Sequence, residues 1–575
     1  MPHRAHLFSL RLCDAFRQAC IKERYTAGRF KQDLLAGITV GIIAIPLAMA
    51  LAIASGVPPQ YGLYTVVIAG FLISFTGGSR FSISGPTAAF VVILYPITQK
   101  YGLGGLLMAT VMAGGLLITM AFLRLGRLIE YIPEPVTLGF TGGIGVVIAT
   151  LQIKDGLGLH IEQMPEQYIS KIHLLANSLG STHGPSLSVA AITLAIMLLW
   201  PKFKTPVPPH LPALLAGAVL AGWLNTHGLE VDTLHTRFSY VAPDGSLAQG
   251  IPAIIPSFMW PWQQANAAGQ PLNISWQLIT ELLPAAFAIA MLGAIESLLC
   301  AVVMDNMTGK RHSANSELLG QGIGNLVAPF LGGITATAAI ARSAANFKSG
   351  AQTPVAGMVH ALVVLLALVS LAPLLGYLPM PAMAALLLVV AWNMSEAPKS
   401  WHLLAHSRAG DRWVFACCFL LTIFFDMVIA ITAGIILAAI LFMKEMADAT
   451  ELVETTKNTD ASVQTPPGHW RIFTITGPLF FAAADKIFSE LTLHCAHQNS
   501  AHQAGILVQL AHVSLLDAGG ISALRKFIDY CHTQRIPVVL SNPSPQVQNA
   551  LSRAQIKSIE GVFSIQTTHA KSGPH

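Results

Sequence analysis

Two charged residues interrupt long apolar runs of the sequence. Glu296 lies in the middle of the segment 281–304, and Arg342 is the one basic residue of the short run 336–346. A charge at the centre of a bilayer costs about 3 kcal/mol on insertion scales, so such a residue is a functional candidate by default. We therefore treat both residues as candidates for the function of the chain.

The two charges point to complementary chemistry. Arg342 can supply positive potential to an anion; the alternative is a structural pair with a carboxylate or with backbone carbonyls. Burial disfavours the charged form of a carboxylate, so Glu296 can take up and release a proton during a cycle. The alternative for Glu296 is a fixed pair with Arg342. We predict anion binding at Arg342 and proton coupling at Glu296.

The composition excludes several classes of protein. Charged residues make up 11% of the 575 residues, against roughly 25% in soluble proteins. Hydrophobic residues make up 53%, and the mean hydropathy is +0.59. These values exclude a disordered chain and predict a polytopic membrane protein. We expect no enzyme, cofactor, metal site or nucleic-acid partner, because no motif or residue spacing indicates one.

Apolar runs follow one another from residue 33 to residue 446. They form fourteen approximate segments: 34–56, 61–77, 83–97, 103–123, 136–153, 186–201, 211–225, 281–304, 316–331, 336–346, 353–373, 377–393, 412–425 and 428–443. The runs 83–97 and 336–346 are too short to cross alone and begin in sequence rich in Gly, Pro, Ser and Thr. We predict that both are half-helices preceded by extended backbone.

The two short segments are the third of each set of seven, which predicts a seven-plus-seven inverted repeat. Basic residues favour one side of the membrane, apart from Lys100, Lys154 and Lys171. By the positive-inside rule, both termini are then cytoplasmic. We expect a multi-pass protein of a bacterial inner membrane.

The composition changes after Lys444. The predicted domains are an N-terminal arm (1–32), a transmembrane domain (33–446), a linker (447–468), a small α/β domain (469–568) and a tail (569–575). In the α/β domain we predict strands at 470–476, 505–510 and 537–541 and helices at 484–497, 519–532 and 545–554. Strands that alternate with helices are typical of such a domain.

Several motifs closely resemble those of the sulfate permease (SulP) family of anion transporters. In the membrane part these are residues 45–46, 48–50, 59–64, 77–80, 315–318, 321–322 and 341–343. The tail resembles the STAS domain of that family at 477–481, 507–510 and 517–520. Within the family, residues 42–52 and 282–305 are most similar to members that take up dicarboxylic acids in enteric bacteria.

The resemblance implies a core of segments 1–4 and 8–11 that moves against a gate of segments 5–7 and 12–14, usually in a homodimer. It also implies that the anion sits between the N-termini of the two half-helices. Helix N-termini bind anions through their free N–H groups and dipoles. The predicted binding residues are Ser84, Gly85, Thr87 and Ala88 on one side and Thr337, Ala338, Ala339, Ile340 and Arg342 on the other.

Two departures from the family pattern bear on the transported ion. Leu47 and Leu51 replace a polar and an aromatic residue, and we expect them to form an apolar wall at the site. Cys300 replaces a Thr of sodium-coupled relatives. A thiol is a poor ligand for a hard cation, which favours a proton over sodium.

We therefore predict proton-coupled, elevator-like import of C4-dicarboxylates such as succinate, fumarate or aspartate. One alternative is a transporter or exchanger of an inorganic anion, sulfate or bicarbonate. A second alternative is a membrane-anchored signalling scaffold whose STAS domain binds a soluble protein.

Overall fold

The computed structural model describes most of residues 10–566. The described ranges are 10–126, 132–161, 164–165, 167–203, 205, 207–241, 245–425, 427–455, 469–496, 503–556 and 563–566. The predicted tail and most of the predicted linker lie outside them. The chain divides into two compact units, residues 1–435 and 436–575, and each is described by itself below.

Fourteen helices correspond one to one with the predicted segments. They are α1 Ala27–Ala54, α2 Pro59–Thr76, α3 88–101, α4 103–122, α5 Glu134–Leu157, α6 Gly184–Leu199, α7 His210–Thr226, α8 Trp276–Thr308, α9 Ala314–Val327, α10 Ile340–Lys348, α11 Val355–Leu375, α12 Met380–Met394, α13 Ala409–Phe424 and α14 Met427–Asp448. Helices α3 and α4 form one element that is broken at Gly102, whose φ of +68° and ψ of −168° are not helical.

By length and composition, nine elements among the described residues could cross a membrane. The joined α3–α4 element is one of them. Helices α6 and α12 qualify only together with the short helices that follow them, as Gly184–Phe203 and Met380–His406. Helices α7, α9, α10 and α13 are too short to qualify, with 17, 14, 9 and 16 residues. The short lengths of α9 and α10 agree with an interrupted core rather than with simple crossings.

The helices pack as two groups. Helices α1–α4 pack with α8–α11, while α5–α7 pack with α12 and α13. This arrangement confirms the predicted fold class, a helical membrane domain with a core, a gate and two half-helices. Large buried side chains of the core include Met49, Phe90 and Leu106.

Both half-helices begin later than predicted. Helix α3 begins at Ala88 instead of residue 83, and α10 begins at Ile340 instead of residue 336. Before α3, Gly85 precedes Pro86, and a residue before proline is sterically excluded from the helical region. The preceding dipeptides are extended: Ser84–Gly85 forms β1 and Thr337–Ala338 forms β4.

Strands β2 (Ser239–Val241) and β3 (Leu247–Gln249) form a hairpin between α7 and α8 that the sequence analysis did not predict. Because the hairpin has three residues in each strand and no buried face, its sequence carries no alternating apolar pattern.

The second unit contains a five-stranded sheet in the order β5-β6-β7-β8-β9. The strands are β5 Glu451–Thr455, β6 His469–Thr476, β7 Gln503–His512, β8 Val538–Ser541 and β9 Phe563–Gln566, and the helices are α15 Phe481–Ala496, α16 Ala518–Thr533 and α17 Pro545–Arg553. The three predicted strands and three predicted helices are confirmed, with bounds shifted by up to three residues. Helices α15 and α16 pack on each other and enclose a core with Phe473, Phe488 and Phe527.

The predicted linker 447–468 is partly wrong, because its residues Glu451–Thr455 are strand β5. This strand pairs antiparallel with β6, whereas the other pairs in the sheet are parallel. Arg471 of β6 donates two hydrogen bonds to Glu454 of β5, at 2.6 and 2.8 Å. The sequence analysis did not predict β5 because its sequence is polar. An edge strand with one exposed face needs few apolar residues.

Candidate anion-binding site

The two extended dipeptides pair with each other at the centre of the core. Ser84 lies opposite Ala338 and Gly85 lies opposite Thr337, in an antiparallel register. Helix α3 starts three residues after Gly85, and α10 starts two residues after Ala338. The pairing therefore brings together the N-termini of the two half-helices, as the resemblance implied.

Neither N-terminus is capped by the side chain of its own N-cap residue, Thr87 or Ala339. The Thr87 hydroxyl donates instead to Oε2 of Glu296 at 2.9 Å. The first N–H groups of a helix have no intrahelical acceptor, so an uncapped start is suited to binding an anion.

The Arg342 side chain extends from α10, in the second repeat, to the segment before α3, in the first repeat. Its Nη2 donates to the carbonyl oxygen of Pro86 at 2.7 Å, and the residue is 3% exposed. Within the described part of the chain, its Nε and Nη1 have no hydrogen-bond partner. Arg342 thus makes the contact with a backbone carbonyl that the sequence analysis left open as an alternative. Its Nε and Nη1 are buried donors that remain available to an anion.

Glu296 lies half-buried on α8 with its carboxylate next to Thr87. Among the described residues, it forms no ion pair with Arg342 within 4.0 Å. The structure therefore does not contain the fixed Glu296–Arg342 pair that was the alternative. The proton-coupling role of Glu296 stays a prediction.

The remaining predicted residues differ in what they can offer. Thr337 is buried, and its hydroxyl contacts Ser297 Oγ at 2.6 Å and Gly293 O at 3.1 Å. Ile340 is 39% exposed, and because its side chain has no polar atom, only its backbone can offer a hydrogen bond to an anion. Leu51 is buried and Leu47 is partly buried in the main apolar core, and the apolar wall they were predicted to form stays a prediction.

Cys300 is fully buried between the two halves. Its thiol donates to Ser343 Oγ at 3.2 Å and lies 3.9 Å from Ser82 Oγ. The Cys300 thiol therefore contacts two hydroxyl groups. It places a sulfur atom where a hard cation such as sodium would require an oxygen ligand.

Sequence reasoning missed the side chains that stabilise the extended segments. The Asn325 amide forms two hydrogen bonds with the backbone of Ala336. Its Oδ1 accepts from the N–H and its Nδ2 donates to the C=O, each at 2.8 Å. Ser343 accepts from the N–H of Ile83 at 2.9 Å, and Asn346 donates to Phe81 O at 3.1 Å. Buried backbone outside regular structure needs such partners. The only sequence signal was a polar residue in an apolar run, which does not specify its partner.

Gly85 leaves room for the Arg342 guanidinium beside strand β1. A Cβ added there would lie 2.8 Å from Arg342 Nη1 and 3.2 Å from Val66 Cγ2. We expect Gly85→Ala to displace the guanidinium and raise KM for the transported anion about tenfold, since a hydrogen bond to a charged group is worth about 1.5–3 kcal/mol.

The matched control for this substitution is Gly115→Ala in α4, where an added Cβ meets no atom within 4 Å. When anion uptake into proteoliposomes is measured for both variants, the KM of Gly115→Ala should equal that of the wild-type protein. An unchanged KM for Gly85→Ala would contradict the close contact between β1 and Arg342.

Comparisons with known proteins agree with this architecture. A model of the sulfate permease family matches residues 30–418, and a model of the STAS domain matches residues 460–571. The putative sulfate transporter YvdB of Bacillus subtilis is 42% identical over 476 residues, which cover 82% of this chain and 84% of that protein. The bicarbonate transporter BicA of Picosynechococcus is 29% identical over 80% of each chain.

Two solved structures are also similar. The overall structure of SLC26A9 matches with a TM-score of 0.81 over 96% of this chain and 90% of that one, at 18% identity, which is evidence for the fold alone. The transmembrane domain of a cyanobacterial BicA matches with a TM-score of 0.58 and 27% identity over 72% of this chain and 98% of that one.

Proposed function

The chain belongs to the sulfate permease family, whose members are anion transporters, and we propose that it transports a small inorganic oxyanion, sulfate in the first place. The observation that carries this proposal is Arg342, which is buried beside the paired strands with Nε and Nη1 unpartnered in the described residues. One guanidinium and two helix N-termini at one point suit a single compact anion.

This proposal replaces the C4-dicarboxylate as the leading substrate. The relative with 42% identity is named for sulfate, and the relative with 29% identity is named for bicarbonate. A C4-dicarboxylate has a carboxylate at each end and needs a second cationic or donor-rich position. It remains a second candidate because of Leu47 and Leu51, whose apolar side chains suit a carbon chain better than a hydrated ion.

We further propose an elevator-like cycle in which the core moves the site past the gate. When Glu296 is protonated, it no longer repels the anion, so the anion and a proton move together. Cys300 supports a proton over sodium because its thiol occupies the place of an oxygen ligand. We also propose that both termini lie in the cytoplasm of a bacterium, which the basic residues of the predicted inner loops support. A homodimer in the inner membrane is proposed from the family resemblance alone.

The experiment is labelled sulfate uptake into proteoliposomes, with an inward proton gradient and then an inward sodium gradient. Labelled bicarbonate and labelled succinate are then tested in the same way, and each unlabelled anion serves as a competitor of the others. We expect saturable sulfate uptake that the proton gradient accelerates. Succinate uptake that sulfate fails to inhibit would favour the dicarboxylate reading, and the absence of flux for all three anions would favour the STAS signalling scaffold.

A further inference from the structure

A chain of buried polar groups leads from the loop after α2 to the hydroxyl of Ser84. Glu317 of α9 is 1% exposed, and its Oε2 accepts from the N–H groups of Gly78 and Ser79 at 3.0 and 2.9 Å. The other oxygen, Oε1, accepts from Nε2 of Gln321 at 3.0 Å. The loop lies so close to α9 that a Cβ on Gly78 would be 2.3 Å from Ser313 O.

The Gln321 amide presents its Nε2 to Glu317, and its Oε1 is buried without a hydrogen-bond partner in the described residues. An ionised Glu317 requires this orientation, because an ionised carboxylate only accepts hydrogen bonds. The same nitrogen also donates to Ser84 Oγ at 3.2 Å. Both hydrogens of the amide nitrogen are therefore used, one on each partner.

The hydrogen bond from Gln321 Nε2 to Ser84 Oγ determines where the Ser84 hydroxyl can donate its own hydrogen. Because its oxygen accepts from Gln321, its hydrogen must go to another acceptor. Ser84 is fully buried, and the described part of the chain contains no acceptor for that hydrogen. Ser84 is also the strand residue opposite Ala338, two residues before the start of α10.

We infer that Gln321, oriented by Glu317, is a positioning residue that turns the Ser84 O–H toward the bound anion. The inference rests on the proposed function and deepens it. With Ser84 as a donor, its hydroxyl adds to the helix N–H groups and to Nε and Nη1 of Arg342, which have no partner in the described residues. Each further donor favours sulfate, whose oxygens all accept, over bicarbonate, one of whose oxygens carries a hydrogen.

The test is a double-mutant cycle on the full-length protein in proteoliposomes. Gln321→Met keeps the length of the side chain and removes the amide, and Ser84→Ala removes the hydroxyl. We expect each to raise KM for sulfate about tenfold, the effect of losing one hydrogen bond to a charged group. The inhibition constant of bicarbonate should change much less, so the preference for sulfate falls.

The double variant separates positioning from a structural effect. Because Gln321 acts through Ser84, Gln321→Met should add nothing to Ser84→Ala. Losses that add, or an unchanged KM in Gln321→Met, would overturn the inference. Ser84→Ala gives the selectivity result on its own if Gln321→Met does not fold.

Thr110→Val is the matched control, since it also removes a buried hydroxyl of the core, one that contacts Thr335 at 2.8 Å instead of Ser84. Its preference for sulfate over bicarbonate should equal that of the wild-type protein. If the wild-type protein transports succinate only, the proposed function fails. The cycle is then run with the KM of succinate, and non-additivity still decides whether Gln321 positions Ser84.

Discussion

Arg342→Ala should reduce anion transport at least about thirtyfold while the protein remains folded. The guanidinium is buried, and in the described chain only Nη2 has a protein partner, the Pro86 carbonyl. Truncating one partner of a buried charge pair costs about 2–5 kcal/mol, which corresponds to this loss. The measurement is initial uptake of labelled sulfate over a range of concentrations, with monodispersity in detergent as the test of folding.

Two further variants make the Arg342 result specific. Arg342→Lys keeps the charge without the planar fork, so we expect an intermediate KM. Arg237→Ala removes an exposed arginine that pairs with Asp232 and should leave transport unchanged. Wild-type flux in Arg342→Ala would place the anion elsewhere in the core. Loss of flux with partner binding by the STAS domain intact would argue against the scaffold reading.

Glu296→Gln should uncouple transport from the proton gradient. Glutamine has the shape of a protonated glutamate and can still accept from the Thr87 hydroxyl, which lies 2.9 Å from Oε2. It cannot release a proton, so we expect anion exchange to continue without acceleration by an inward proton gradient. The measurement is the ratio of sulfate uptake with and without that gradient, which should fall to about one.

The control for the Glu296 experiment is Glu281→Gln on the same helix. Glu281 is exposed and accepts from Tyr101 and Gln277. Its gradient ratio should match that of the wild-type protein. A Glu296→Gln variant that still accumulates sulfate against its gradient would show that another group carries the proton.

Local sequence signals were sufficient to predict the helices but not the pairing between them. Apolar runs and Gly/Pro breaks located fourteen segments, and a lone arginine and a lone glutamate indicated two residues of the candidate site. The pairing of Ser84 with Ala338 joins dipeptides too short to show any periodicity. The roles of Glu317 and Gln321 depend on that distant contact, and strand β5 is polar, so neither could be seen in a window of neighbouring residues.

The pairing of β1 with β4 also has a consequence for biosynthesis. About 250 residues of chain separate the two dipeptides. At about 5–20 residues per second, the ribosome needs about 10–50 s after finishing β1 to produce its partner. During that interval the backbone of Ser84 and Gly85 must find other hydrogen-bond partners within the inserting chain. The candidate site is thus completed only after both repeats have been synthesised.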